Sequence, residues 1–155
     1  MTACSVRRVG SIAAGCLLAL CACGGPTATR QDVIARGNAI CLSTLRALRA
    51  LPPSSGTGEA ALRDYLRRAI PLVEKEVIQL GTLPRPPRDR AVLEGYLAAV
   101  REAGGDYRRL ATAARSGDPA DVTAALSALR ANPAGTLARR YGLDDCASAA
   151  IGSNP

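Results

Sequence analysis

Apolar side chains recur at intervals of three and four over most of the chain. In residues 29 to 51, Val33, Ile34, Gly37, Ile40, Cys41, Leu45, Leu48 and Leu51 fall on one side of a helix. Asp32 sits in its first turn, where a carboxylate favours the positive end of the helix dipole. Pro52-Pro53-Ser54-Ser55-Gly56-Thr57-Gly58 cannot continue that helix and marks a loop. From about Glu59 to Leu80 a second stripe of Leu62, Leu66, Ala69, Val73, Val77 and Leu80 keeps its phase through Pro71. We therefore expect one helix with a proline kink that frees the carbonyl of Arg67; the alternative is a break with Pro71 opening a new helix. Pro84-Arg85-Pro86-Pro87-Arg88 reads as a stiff, extended connector.

The third helix is the clearest, because Leu93, Leu97, Val100, Gly104, Tyr107, Ala111 and Ala114 step by four and three without a slip. Gly104 and Gly105 should each weaken it by about 1 kcal/mol relative to alanine, unless a neighbour packs on the bare backbone. Ser116-Gly117 ends it. Asp118-Pro119 then starts a short fourth helix carrying Val122, Leu126 and Leu129, and Asn132-Pro133 starts a fifth through Leu137 and Tyr141, closed by Gly142. No stretch alternates as a strand does.

The first thirty residues differ in kind. Arg7 and Arg8 precede the apolar run Val9 to Ala22, which spans only about 21 Å as a helix, against the roughly 30 Å of a hydrocarbon core. A charged start and a short apolar run read as a secretion signal. Its end, Leu20-Cys21-Ala22-Cys23-Gly24, resembles the lipobox of bacterial lipoproteins. That resemblance implies cleavage before Cys23, a diacylglyceryl group on its thiol and an acyl chain such as palmitate on its new amine. The expected division is then a signal peptide over 1–22, a lipid-anchored tether over 23–28, a helical bundle over 29–147 and a flexible tail over 148–155. Two or three acyl chains anchor stably where one is marginal.

Cys41 and Cys146 are the cysteines left beyond the signal and anchor. In an oxidising compartment they are expected to pair, tying the first helix to the segment after the last. A buried free thiol, or a metal pair completed by Asp144 and Asp145, is the alternative. The fold class expected is all-α, an antiparallel bundle of three long helices plus one or two short C-terminal helices, stapled by one disulfide.

Ala39-Ile40-Cys41, the block Leu66-Arg67-Arg68-Ala69-Ile70-Pro71-Leu72, the closing Tyr141-Gly142-Leu143 with Cys146, and the lipobox together resemble small actinobacterial helical lipoproteins. The resemblance covers most of the chain after the signal. Its motifs are structural; it implies the fold, the disulfide and a place on the extracytoplasmic face of the cell membrane, and it transfers no catalytic residue.

Composition removes chemistry. The chain has 155 residues and no histidine, so the commonest general base and metal ligand is missing, and no cofactor is expected. Ser43, Ser54, Ser55, Ser116 and Ser127 have only Lys75 or a carboxylate to activate them. Gly56-Thr57-Gly58 lacks the further glycine and lysine of a phosphate loop. Glu74 and Glu76 point apart on their helix and are expected to be solvated, and Asp144-Asp145 reads as helix-end polarity. We expect no enzyme. The net charge is +7, falling to about +5 beyond residue 22, and Arg101, Arg108 and Arg115 form one outer stripe of the third helix. Export argues against nucleic acid. A short tether holds the bundle within about 17 Å of the lipid, so this stripe either faces the membrane or is an ordinary solvated face. Tyr65, Tyr96, Tyr107 and Tyr141 fall on or beside apolar stripes, as core residues with hydroxyls at the rim; with Gly104, Gly105 and Ala111 they could instead line a cleft.

The leading functional expectation is a non-enzymatic, lipid-anchored domain that binds an envelope protein or the envelope itself. The alternative is a small-molecule or lipid carrier with a cleft between the second and third helices near Pro71 and Gly104.

Overall fold

The computed structural model describes residues 28–149. The segment expected as a signal peptide, the expected lipidation residue Cys23, most of the expected tether and the residues beyond Ala149 lie outside the described residues. The rest is an all-α bundle of three long helices, α1 (Arg30–Arg49), α2 (Gly58–Gly81) and α3 (Arg90–Ser116), followed by α4 (Pro119–Ala131), α5 (Ala134–Tyr141) and α6 (Asp144–Ala149). α1 packs on α2 and α6, α2 on α3, and α3 on α4 and α5.

The helix ends follow local chemistry. Thr29 and Asp32 close a capping box at the start of α1, each side chain accepting from the other's backbone N–H. Asp118 accepts from the Ala120 N–H at the start of α4, and Asn132 from the Ala134 N–H at the start of α5. Gly117 and Gly142 end α3 and α5 with φ of 74° and 93°, a left-handed conformation that costs any residue with a Cβ. Arg30 reaches from α1 to finish α5: its Nη2 donates to the Tyr141 carbonyl at 2.9 Å, and its guanidinium lies 5.1 Å from the centre of the Tyr141 ring.

α2 runs unbroken through Pro71, which stands on the exposed face, where water can serve a carbonyl the ring leaves without its partner. Two expectations are corrected. The connector is not extended throughout, since residues Pro87–Asp89 form a 3-10 turn that leads into α3. The segment around Cys146, expected as part of an end without its own helix, is α6, and it continues through Ala149 beyond the bundle limit placed at residue 147.

Two apolar clusters sit at opposite ends of α3. One joins Val33, Leu80, Leu83, Leu93, Leu97, Tyr141 and Leu143 around the Cys41–Cys146 disulfide, whose Cα atoms are 5.0 Å apart. The other joins Leu66 of α2 to Leu110, Ala111 and Ala114 of α3 and Leu129 of α4. The disulfide is set by close approach. A Cβ on Gly37 would stand 2.5 Å from a methyl of the buried Leu143, so only glycine lets α1 and the α5–α6 turn meet this tightly.

The two central glycines of α3 have different surroundings. A Cβ on Gly104 would lie 3.2 Å from Val77 Cγ2, whereas on Gly105 it would meet only the ends of Arg109 and Arg108 at 3.7 and 4.0 Å. Close packing explains the first glycine and leaves the second a plain helix weakness. Gly105→Ala is therefore expected to raise stability by about 0.5–1 kcal/mol, read as a higher urea midpoint, while Gly104→Ala gains nothing because Val77 must give way. A Gly105→Ala variant less stable than wild type would contradict this account of the helix.

Candidate functional site

Between the two clusters the packing opens. At the level of Val100, Ala103, Gly104 and Tyr107, halfway along α3, lies a cavity of about 100 Å³. α1 contributes Thr44, Leu45 and Leu48, and α2 contributes Val73, Glu76 and Val77. Tyr96 of α3, Leu129 and Asn132 near the end of α4, and Cys146 of α6 complete it. The opening has a local cause. Gly104 presents no side chain on the inner stripe of α3, Ala103 beside it presents one methyl, and the facing α2 offers the branched Val73 and Val77.

Glu76 is the one carboxylate on this wall. It is half-buried, and burial pushes its carboxyl up to about 7, with the Thr44 hydroxyl pulling weakly the other way. No ion pair joins it to any described residue. Its neighbour Glu74 behaves differently: Glu74 Oε1 lies 3.4 Å from Arg108 Nη1 on the outside of the bundle. The expectation that both are solvated thus holds only for Glu74. Residues two apart do diverge, and here one of the two directions leads inward.

The tyrosines also separate. Tyr96 is buried, its hydroxyl donating to Cys41 Sγ at 3.9 Å, since a bridged sulfur has no proton to give. Burial, with the charge of Glu76 added, raises the Tyr96 hydroxyl above its ordinary value, and burial, with Tyr65 and then Glu76 added, pushes Tyr107 up to about 12, so both phenols stay protonated over the physiological range. Tyr65 is exposed, away from this wall. The Tyr141 hydroxyl is not at the rim as expected but buried, with no hydrogen-bond partner among the described residues. Of the cleft residues anticipated, Gly104, Tyr96 and Tyr107 line the cavity; Gly105, Ala111 and Pro71 do not. α1, absent from the anticipated cleft, forms a full side of it.

Arg101, Arg108 and Arg115 are exposed along one side of α3, outside the cavity. Arg108 meets Glu74, and Arg115 donates to Thr112 Oγ1 at 3.0 Å. Asp106, which sequence reasoning did not single out, is 2 % exposed on α3 and pairs with Arg109 one turn on.

Chemically the cavity offers one carboxyl that exchanges its proton near neutrality, two phenols that keep theirs, and an apolar wall. The hydroxyl beside the carboxyl, Thr44 Oγ1, donates to the Ile40 carbonyl at 3.3 Å. Among the described residues no group of three or more cysteines, aspartates or glutamates is placed to hold a metal ion, and no helix is long and apolar enough to cross a membrane. Compared with protein families, with curated proteins and with solved structures, the chain matches none.

Proposed function

We propose that the protein is a small-molecule-binding domain, not an enzyme, that holds a small and largely apolar ligand in the cavity between α1, α2 and α3. The lipobox-like Leu20-Cys21-Ala22-Cys23 supports display of this domain on the outer face of the cell membrane, anchored through Cys23. The observation that carries the reading is the cavity itself. A bundle with two well-filled clusters leaves between them a partly open gap of about 100 Å³, whose lining lacks the contacts that a filled core provides. A ligand that fills the gap recovers those contacts. The wall is mostly aliphatic with a few polar groups, the usual make-up of a small-ligand site.

The test uses a probe with no chemistry of its own. Xenon enters dry or displaceable cavities of this kind. Titrating xenon into the purified full chain should shift the amide resonances of Leu45, Val77 and Gly104 saturably, and Ala103→Leu, which puts a larger side chain into the gap, should abolish the shift. Absence of any saturable shift in the wild-type chain would overturn the cavity reading.

A further inference from the structure

We propose that the cavity takes a small organic cation, a short-chain or cyclic alkylamine, whose ammonium group pairs with Glu76 while its carbon frame fills the space between Val73, Val77 and Leu48. The inference rests on the cavity reading above and deepens it to a ligand class.

The distribution of charge argues for it first. The chain carries nineteen arginines and one lysine, yet among the described residues no cation lines the cavity, and the one carboxylate that does has no ion-pair partner there. Six other described carboxylates meet an arginine, Asp64 at 2.6 Å and Glu94 at 3.1 Å among them, and of those without an ion pair Glu76 is the one that lines the cavity. In so basic a chain, a half-buried carboxyl without its own arginine is complementary to a cation brought from outside. An anionic ligand would meet repulsion there and no positive group.

The aromatic lining argues the same way. Tyr96 and Tyr107 are two of four aromatic side chains in the whole protein, and both line this cavity. Tyrosine rings attract ammonium groups through their negative faces, most strongly where water is excluded. Glu76 on α2 and these rings on α3 line the same cavity, so an ammonium group within it can meet both an anion and a π surface. Size limits the rest. A 150 Å³ apolar cavity accommodates benzene, so a gap of about 100 Å³ suits a ligand of about four heavy atoms.

Binding should depend on pH with a definite sign. Glu76 must be ionised to pair, and burial holds its proton up to about pH 7, so affinity rises as pH climbs through 7 and falls again above the ammonium pKa near about 10. The titratable groups facing Glu76 from α3 are Tyr96 and Tyr107, neutral throughout that window. α1 faces it with Thr44, the end of α4 with Leu129 and Asn132, and α6 with the bridged Cys146, none of which changes charge.

The experiment is calorimetric titration of the full chain with propylamine, propanol and propionate at pH 8 and pH 5, in wild type and Glu76→Gln. A charge-assisted hydrogen bond corresponds to about tenfold to a hundredfold in affinity. The amine should therefore bind at least about tenfold more tightly than the alcohol at pH 8, and lose that margin at pH 5 and in Glu76→Gln. The carboxylate should not bind. Xenon should still enter Glu76→Gln, which separates loss of the charge from loss of the fold. If the alcohol binds as well as the amine, or the amine binds Glu76→Gln undiminished, the cation assignment is overturned while the cavity reading stands. If xenon enters but none of the three probes binds, the cation assignment is likewise overturned. If xenon itself fails to enter the wild-type chain, both fall together.

Discussion

Cys41→Ala with Cys146→Ala is expected to lower the unfolding free energy by about 4 kcal/mol, a large share of the roughly 5–15 kcal/mol typical of a domain. The bridge spans 105 residues and so closes most of the described chain into one loop in the unfolded state; a closed loop of that size corresponds to about 4.7 kcal/mol in the chain-entropy account. The loss also has a place. α6 has six residues, too few to stand as an isolated helix, and it is held by Cys146, by Ala147 and by the Leu143 contact with Gly37. Reduction of the wild-type protein should therefore release α6 first, seen as amide exchange rising in residues 144–149 before the rest of the bundle. Because Cys146 and Ala149 line the cavity, ligand binding should weaken at the same step. Urea unfolding with and without reductant measures the first part. A midpoint that moves by the equivalent of less than about 1 kcal/mol would mean that apolar packing alone holds the two ends together.

The legibility of the fold and of the site differ for a physical reason. Helices α1 to α5 could be read because apolar spacing and end chemistry agree: Asp118-Pro119 starts α4 and Gly142 stops α5, as the sequence suggests. The disulfide was legible because Cys41 and Cys146 are the two cysteines beyond the segment expected as signal and anchor. α6 was not, because six residues carry less than two turns of pattern and the helix exists only through its tertiary contacts. Leu110 and Asp106 escaped for a related reason. α3 is covered by α2 on one side and by α4 and α5 on others, so its buried surface is wider than the single stripe that a seven-residue repeat picks out. The site was half legible. Gly104 and the tyrosines signalled an opening near the middle of α3, but Glu76 read as solvated because a charged residue in an amphipathic helix usually is. What places it inside is the gap bordered by Ala103, Gly104 and Tyr107 of α3, and a gap set by the side chains of another helix is something no pattern within α2 can report.

Glu76 also gives the stability of the protein an unusual pH dependence. Its carboxyl titrates at about 7 in the folded chain against 4.5 when exposed, so between those values the folded state holds a proton that the unfolded state has released. Stability must then fall as pH rises through this window, because deprotonation favours the unfolded chain. A shift of this size corresponds to about 3 kcal/mol at pH 8, with most of the loss spread between pH 5 and 7. The exposed carboxylates act in the opposite sense. The Ser55 N–H and Arg67 hold Asp64 below its ordinary range and the Thr29 hydrogen bonds do the same for Asp32, so their contributions are present at neutrality and are lost only as pH drops below about 4. Wild type should therefore be most stable near about pH 5. Glu76→Gln, which mimics the protonated carboxyl, should match it there and exceed it by about 3 kcal/mol at pH 8. Urea denaturation of both chains at pH 5 and pH 8 measures the difference directly. Equal stability of the two chains at pH 8 would place Glu76 in water and remove the physical basis for a charged cavity wall. The predicted gain on losing this carboxylate also accounts for its value to binding: an anion that destabilises the empty bundle above pH 7 is stabilised when a cation arrives, so the energy withheld from folding is returned on ligation.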